Sequence, residues 1–277
     1  MSEAVKAVTL IDIIFVVMLV LSGSFGTAVG DVIYYSAFLI TVALGFAISE
    51  KLKYKREEIK GVAEPLATHL TLDKERVGLL IPLVAPTVLL IFIVSLVSTL
   101  VCSLFGVAQP PIEERGFAEM IFIHALLPAF FEEALFRYVA MKLLMPYSKR
   151  FCIIYSALCF ALIHCSFVQM PYAFIAGLIF MTVDVAFDSI WPSVVLHFIN
   201  NATSVFLIKY SDSKALMLVS VILLVPIIIA SLFFLLRSMR KYKEMAAHAL
   251  EKGERAEITY APFILVAICL YIALITV

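Results

Sequence analysis

Charged side chains are scarce in this chain. Asp, Glu, Lys and Arg make up only 15% of the 277 residues, whereas 63% of the residues are hydrophobic. A soluble domain carries about 25% charged and about 45–50% apolar residues, so the composition excludes an ordinary soluble domain. The formal net charge is zero and indicates no particular partner. The composition predicts an all-α, polytopic bundle of transmembrane helices that forms one membrane domain, 1–277.

Several patterns that carry chemistry in other proteins are missing as well. The five cysteines form no CxxC pair, so we expect neither disulfides nor a cysteine cluster. The chain has no HExxH motif and no Gly-rich phosphate loop. It also has no combined aromatic and basic surface of the kind that binds nucleic acid. The sequence therefore predicts no metal ion, no cofactor and no nucleic-acid partner.

Nine apolar stretches approach the roughly 20 residues that a transmembrane helix needs. They are 8–29, 32–49, 79–107, 117–144, 151–169, 171–187, 191–208, 215–236 and 261–277. The predicted number of spans is eight or nine, because 171–187 and 261–277 are short for a complete crossing.

The distribution of Lys and Arg predicts the orientation. If the loops alternate between the two sides, the side opposite to the N-terminus receives only Arg115, Lys209 and Lys214. Arg137 lies within a span. The other 17 of the 21 basic residues then share the side of the N-terminus. Basic residues collect on the cytoplasmic side of membrane proteins. We therefore expect a multi-pass integral membrane protein with a cytoplasmic N-terminus and an active-site opening on that same side.

Two adjacent carboxylates and an arginine lie in the middle of the fourth stretch, as Glu132, Glu133 and Arg137. A charged side chain at the bilayer centre costs at least ~2.5–3.5 kcal/mol, so ionisable residues there are functional candidates. Glu133 and Arg137 are four residues apart and share one helix face, where we expect a supporting ion pair. Glu132 points about 100° away from Glu133 and has no cation on its own face, which makes it the better general base. Pro128, one turn earlier, is expected to bend the helix and open space beside Glu132.

Further polar residues lie in the later stretches. His164 and Glu132 are predicted to share a depth, about 13 and 12 residues from the edges of their spans on the N-terminal side. His197 and Asn201 share one helix face, after a helix start predicted at Trp191-Pro192. Both side chains donate hydrogen bonds, so they could stabilise a developing oxyanion or form a polar contact between helices. Three other polar residues in the spans are interpreted as structural or cavity-lining: Asp12, His124 and Asp184.

The three polar groups resemble the CPBP family, which includes the type II CAAX prenyl endopeptidases and bacteriocin self-immunity proteins. The family pattern is EExxxR, then FxxxH, then HxxxN. It occurs here in order as Glu132 to Arg137, Phe160 to His164 and His197 to Asn201, within a catalytic core over 117–201. The resemblance implies that Glu132 and His164 activate a water. It also implies that His197 and Asn201 hold the oxyanion, and that Glu133 and Arg137 support the site.

This resemblance implies an intramembrane endopeptidase of the glutamate type. The substrate would be a protein or peptide that ends in a prenylated cysteine plus three residues, and the enzyme would release the tripeptide. A lipid-bearing substrate would enter sideways from the membrane, because its prenyl chain prefers hydrocarbon. Two alternatives stay open. One is a zinc-dependent membrane protease, since two His and one carboxylate could hold a metal. The other is a non-enzymatic bacteriocin-immunity or transport protein that uses the same polar groups.

Overall fold

The chain forms a bundle of long helices. A computed structural model describes residues 2–24, 27–57, 74–108, 115–146 and 148–251. Every regular element in these ranges is helical, so the predicted all-α fold is confirmed. The helices are α1 (Ser2–Gly23), α2 (Thr27–Glu57), α3 (Lys74–Leu104), α4 (117–144), α5 (Lys149–Leu162), α6 (Met170–Phe187), α7 (Trp191–Lys209) and α8 (Lys214–Glu251).

Six of these helices are long and apolar enough to cross a membrane: α1, α2, α3, α6, α7 and α8. The short stretch 171–187 is thus one complete helix of 18 residues. α4 is longer but carries five charged side chains, and α5 has only 14 residues. The ninth predicted stretch, 261–277, lies outside the described residues. The number of spans, eight or nine, stays a prediction.

The boundary predicted for the fifth span, 151–169, is wrong. α5 ends at Leu162, and at about 1.5 Å per residue it is about 21 Å long. The chain then turns through Cys165, which has a positive φ of 46°, and α6 begins at Met170. Hydropathy continues across this turn because Phe167 and Val168 are apolar, so composition alone does not reveal the break. His164 therefore lies in a turn rather than within a helix.

α4 contains two π-helical turns, Phe122–Leu126 and Ala134–Val139. In the first, the N–H of Leu127 bonds to the carbonyl of Phe122, five residues back, so the carbonyl of Ile123 lacks its usual helical donor. The Tyr35 hydroxyl of α2 donates to that carbonyl at 2.9 Å. A buried carbonyl needs a partner, so this bond both satisfies the π turn and fixes α2 against α4.

The two ends of the bundle are defined by contacts between the helices. At the end that holds the start of α1, Arg76 of α3 donates to the carbonyl of Phe187 at 2.8 Å. At the other end, Ser98 of α3 donates to the carbonyl of Val168 at 2.8 Å, and Lys209 donates to the carbonyl of Arg115 at 3.2 Å. We call these the N-terminal end and the opposite end.

Small residues allow close helix packing in the core. A Cβ atom at Gly177 of α6 would lie 2.8 Å from the Cα of Ala157 in α5. Only glycine therefore permits this approach, which is typical of membrane helix interfaces. The close contact brings α5 against α6 and sets the position of the turn that contains His164.

Candidate active site

Glu132 lies at the inner end of a cavity of about 1050 Å³. Its side chain is buried, with 6% of its surface exposed. The same cavity is lined by His164 and Asn201, so residues from α4, the α5–α6 turn and α7 meet in one space. Pro128 also lines the cavity next to Glu132, at the place where the sequence predicts extra room.

Glu133 is completely buried and has two basic neighbours rather than one. Its Oε2 lies 3.0 Å from Nε of Arg137, so the ion pair predicted from the four-residue spacing is present in the structure. Its Oε1 lies 2.7 Å from Nδ1 of His197 in α7, a contact that the sequence did not predict. Glu133 thus connects Arg137 to His197 and fixes the orientation of that imidazole.

Two aromatic rings support this buried ion pair. The guanidinium carbon of Arg137 lies 4.1 Å from the centre of the Phe160 ring and 5.5 Å from that of Phe180. Such stacking stabilises a cation where water is excluded. The same two rings flank His197, at centroid distances of 5.4 and 5.5 Å. Phe160 and Phe180 therefore pack against both basic groups that contact Glu133.

His197 lies between the two carboxylates. Its Nδ1 contacts Glu133, and its Nε2 lies 3.8 Å from Oε2 of Glu132. A carboxylate only accepts hydrogen bonds, so Nδ1 carries a proton toward Glu133. Donation from Nε2 as well requires the doubly protonated ring, and the charges of Glu132, Glu133, His197 and Arg137 then cancel.

The ring of His164 is fixed by the end of α5. The backbone N–H of His164 bonds to the carbonyl of Ala161, which leaves the carbonyl of Phe160 for the side chain. Nδ1 of His164 lies 2.8 Å from that carbonyl. Because a carbonyl only accepts, Nδ1 carries the proton, and Nε2 of the neutral ring holds a lone pair. His164 therefore offers an acceptor to the cavity that it lines.

Asn201 is oriented by α4. Pro128 has no N–H, so the carbonyl of His124, four residues earlier, has no α-helical donor. Nδ2 of Asn201 donates to that carbonyl at 3.1 Å, and Oδ1 accepts from Asn200 at 3.2 Å. A carboxamide nitrogen has two hydrogens, so one bond fixes the group while a second hydrogen is available to the cavity.

Tyr34 is a site residue that the sequence analysis missed. Its hydroxyl donates to Oε1 of Glu132 at 3.2 Å, and it lines the cavity. It lies on α2, 98 residues from Glu132. A tyrosine in an apolar helix carries no pattern that would single it out.

The remaining polar residues of the spans have structural contacts. Asp184 accepts a hydrogen bond from the backbone N–H of Ser193 at 2.9 Å, near the predicted α7 start at Trp191, which is confirmed. A carboxylate there satisfies an N–H that the helix leaves unpaired. Asp12 of α1 accepts from the hydroxyl of Tyr155 and contacts the thiol of Cys159. His124 lines the cavity.

The cavity opens at the opposite end of the bundle. Its outer part is lined by Ser22, Gly23, Gly30 and Asp31, which lie around the α1–α2 connection and which we call the mouth. On the other side of Glu132 the bundle is closed by buried side chains such as Arg137. The start of α1 and the mouth lie at opposite ends of the bundle. The side of the membrane that each one faces stays a prediction. The number of residues along a span predicts how deep a side chain lies. It does not predict at which end of the bundle the cavity opens.

No cluster of three or more His, Cys, Asp or Glu side chains in the described ranges has the arrangement of a metal site. Nδ1 of His164 is bonded to the carbonyl of Phe160, which leaves Nε2 with a lone pair, as in many metal-binding histidines. The absence of a metal therefore stays a prediction, and the zinc-protease alternative stays open.

Comparison with known proteins gives one family. Residues 98–203 match the family described as Type II CAAX prenyl endopeptidase Rce1-like. The matched range includes all seven fixed residues of the three motifs, so the resemblance stated from these motifs is confirmed. Neither the curated proteins nor the solved structures give a significant match.

Proposed function

Since residues 98–203 match the Rce1-like type II CAAX prenyl endopeptidases, we propose that this protein is a glutamate-type intramembrane endopeptidase that acts on prenylated protein C-termini. The match supports a protease in the membrane. The catalytic residues, the substrate and the direction of access are the parts that we propose. The catalytic core is 117–201, within a single membrane domain.

Glu132 is the proposed general base. It is the carboxylate at the inner end of the cavity, and Glu133 is already engaged by Arg137 and His197. Glu132 accepts a proton from a water molecule while Nε2 of His164 accepts the other hydrogen bond of that water. The resulting hydroxide attacks the scissile carbonyl carbon. Such a base contributes about 10²–10⁴-fold to the rate.

His197 and Asn201 are the proposed oxyanion donors. The doubly protonated His197 donates from Nε2, and Asn201 donates its second amide hydrogen to the oxygen of the tetrahedral intermediate. When the C–N bond breaks, Glu132 returns its proton to the leaving amine. Donors held in place before the reaction stabilise charge without reorganisation, and here Glu133 and the His124 carbonyl hold them.

One observation carries this proposal: Glu132, His164 and Asn201, from three different parts of the chain, line one cavity, and Nε2 of His197 lies 3.8 Å from Glu132. A purely structural role for these groups would not require a cavity of about 1050 Å³ beside them. The cavity also reaches apolar side chains of α3 and α8, including Phe92, Leu224 and Ile228. This lining suits a lipid chain attached to the substrate.

The test is a cleavage assay with purified protein in detergent and a farnesylated peptide that ends in cysteine plus three residues. Mass spectrometry should detect the released tripeptide with wild-type protein. Glu132→Ala should lower turnover by more than about tenfold, since base catalysis contributes about 10²–10⁴-fold. Absence of the tripeptide with wild-type protein would reject the proposed activity, and full turnover by Glu132→Ala would reject Glu132 as the base.

A second candidate substrate follows from the position of the mouth. If the N-terminal end is cytoplasmic, as the basic residues predict, the mouth faces the other side of the membrane. The same chemistry would then act on a membrane-associated peptide presented from outside. Peptides added to the two sides of sealed vesicles with known orientation would distinguish the two substrates.

A further inference from the structure

We infer that Tyr34 is a positioning residue for the general base, an inference that rests on the proposed function. Tyr34 lies on α2, outside the matched range 98–203. Its hydroxyl donates to Oε1 of Glu132 at 3.2 Å. The other carboxylate oxygen of Glu132, Oε2, lies 3.8 Å from Nε2 of His197.

The Tyr34 ring is held in place by other aromatic rings. It makes edge contacts with Phe38 and Tyr35 at centroid distances of 5.1 and 5.2 Å, and with Phe15 at 6.5 Å. Phe15 and Phe38 are fully buried. The phenol therefore loses little side-chain freedom when it bonds to Glu132.

This contact makes the two oxygens of Glu132 different. Rotation of a free carboxylate would exchange Oε1 and Oε2, whereas the bond from Tyr34 holds Oε1 on the side of α2. Oε2 then remains toward His197 and takes the proton from water. When Oε2 is protonated, Oε1 still accepts the hydrogen bond from Tyr34, so the group is held through the whole cycle.

Loss of the Tyr34 hydroxyl should lower the rate of the chemical step. The loss of a hydrogen bond to a charged group can lower the rate of a chemical step by about 10- to 100-fold. We expect Tyr34→Phe to lower kcat by that factor, with KM changed less than about threefold. The ring remains in Tyr34→Phe, so its packing against Phe15 and Phe38 is preserved and Tm should change little.

Tyr35→Phe is the matched control. It removes the same hydroxyl from the adjacent residue of the same helix, but that hydroxyl bonds to the backbone carbonyl of Ile123. We expect kcat of Tyr35→Phe to stay within about threefold of wild type, while its Tm falls because a buried carbonyl loses its donor.

If the wild-type protein cleaves the farnesylated peptide, three outcomes of the assay test the role of Tyr34. A fall in kcat for Tyr34→Phe alone, at nearly constant KM and Tm, supports it. A kcat of Tyr34→Phe equal to wild type overturns it. A parallel fall in kcat and Tm for both variants also overturns it, because both hydroxyls would then act through the fold.

If the wild-type protein shows no cleavage, that result by itself rejects the proposed function. A double-mutant cycle of thermal stability then tests the contact between Tyr34 and Glu132. The Tm of Tyr34→Phe, Glu132→Ala and the double variant would be measured in detergent. If the hydroxyl bonds to Glu132, Tyr34→Phe should shift Tm less in the Glu132→Ala background than in the wild type. Equal shifts in both backgrounds overturn the inference.

Discussion

Asn201 has two amide hydrogens, and the fold uses one of them, on the carbonyl of His124. If the second hydrogen bonds to the oxyanion, the loss of Asn201 should affect the transition state more than the bound substrate. We expect Asn201→Ala to lower kcat by about 10²–10³-fold, with KM changed less than a few-fold. Steady-state kinetics on the farnesylated peptide measures both constants.

The neighbouring Asn200 provides the control for this prediction, because its amide contacts Oδ1 of Asn201. Asn200→Ala should lower kcat by less than Asn201→Ala. If Asn201→Ala changes KM alone, Asn201 binds the substrate. If it changes neither constant, Asn201 serves only as the contact between α7 and α4.

Glu133 and Arg137 are both without exposed surface, so each depends on the other for charge compensation. Removal of one partner from a buried ion pair costs about 3–5 kcal/mol, because the other charge remains uncompensated. We expect Glu133→Gln and Arg137→Gln each to lower Tm in detergent. The double variant Glu133→Gln/Arg137→Gln should recover part of the loss, which thermal unfolding would show.

The contact of Glu133 with His197 adds a second expectation for these variants. Arg137→Gln leaves that contact in place, whereas Glu133→Gln weakens it. If the two variants have a similar Tm, Glu133→Gln should therefore have the lower activity. Unchanged melting temperatures in both single variants would contradict the pairing of Glu133 with Arg137.

The approach of α5 to α6 depends on Gly177. A Cβ atom there would lie 2.8 Å from a backbone atom of Ala157, and backbone has little room to move in a packed core. We expect Gly177→Ala to destabilise the protein by about 1–3 kcal/mol. It should also lower activity, because the α5–α6 turn carries His164.

Gly78 of α3 is the matched control, since a Cβ atom at this position meets no neighbour within 4 Å. Alanine favours the helix by about 1 kcal/mol over glycine, so Gly78→Ala should leave Tm unchanged or raise it. Thermal unfolding of both variants in detergent compares them. A similar Tm for Gly177→Ala and wild type would show that the contact with Ala157 relaxes easily.

The whole bundle presents its two ends to different sides of the membrane. Most Lys and Arg of the described residues lie at the N-terminal end, whereas the cavity mouth lies at the opposite end. The basic residues predict that the N-terminal end is cytoplasmic. A cysteine at the exposed position 212, near the opposite end, should therefore react with a membrane-impermeant maleimide added outside intact cells. A cysteine at the exposed position 150 should not.

For this measurement, Asp212→Cys and Arg150→Cys would be made in a chain in which Cys102, Cys165 and Cys269 are replaced by serine. Cys152 and Cys159 are buried and would remain. External labelling of Asp212→Cys would favour the substrate presented from outside. External labelling of Arg150→Cys would place the mouth in the cytoplasm, where it could receive prenylated proteins, and would contradict the orientation predicted from charge.

Features that depend on neighbours along one helix could be predicted from the sequence. Composition indicated an all-α membrane protein because apolar surface and satisfied backbone groups are both required in lipid. The four-residue spacing of Glu133 and Arg137 predicted their contact because helical geometry alone brings such residues together. The start of α7 at Trp191 followed from the preference of proline for the first turn. The three motifs in order also indicated the family that residues 98–203 match.

Contacts between distant helices could not be predicted in this way. The bond from Tyr34 to Glu132 joins residues 98 positions apart, and the bond from His197 to Glu133 joins residues 64 positions apart. The end of α5 at Leu162 was predicted wrongly, as part of a span over 151–169. These features depend on how far each helix is rotated and shifted against its neighbours. That register is set by the combined packing of many side chains, such as the approach of Gly177 to Ala157, and no local pattern in one helix contains it.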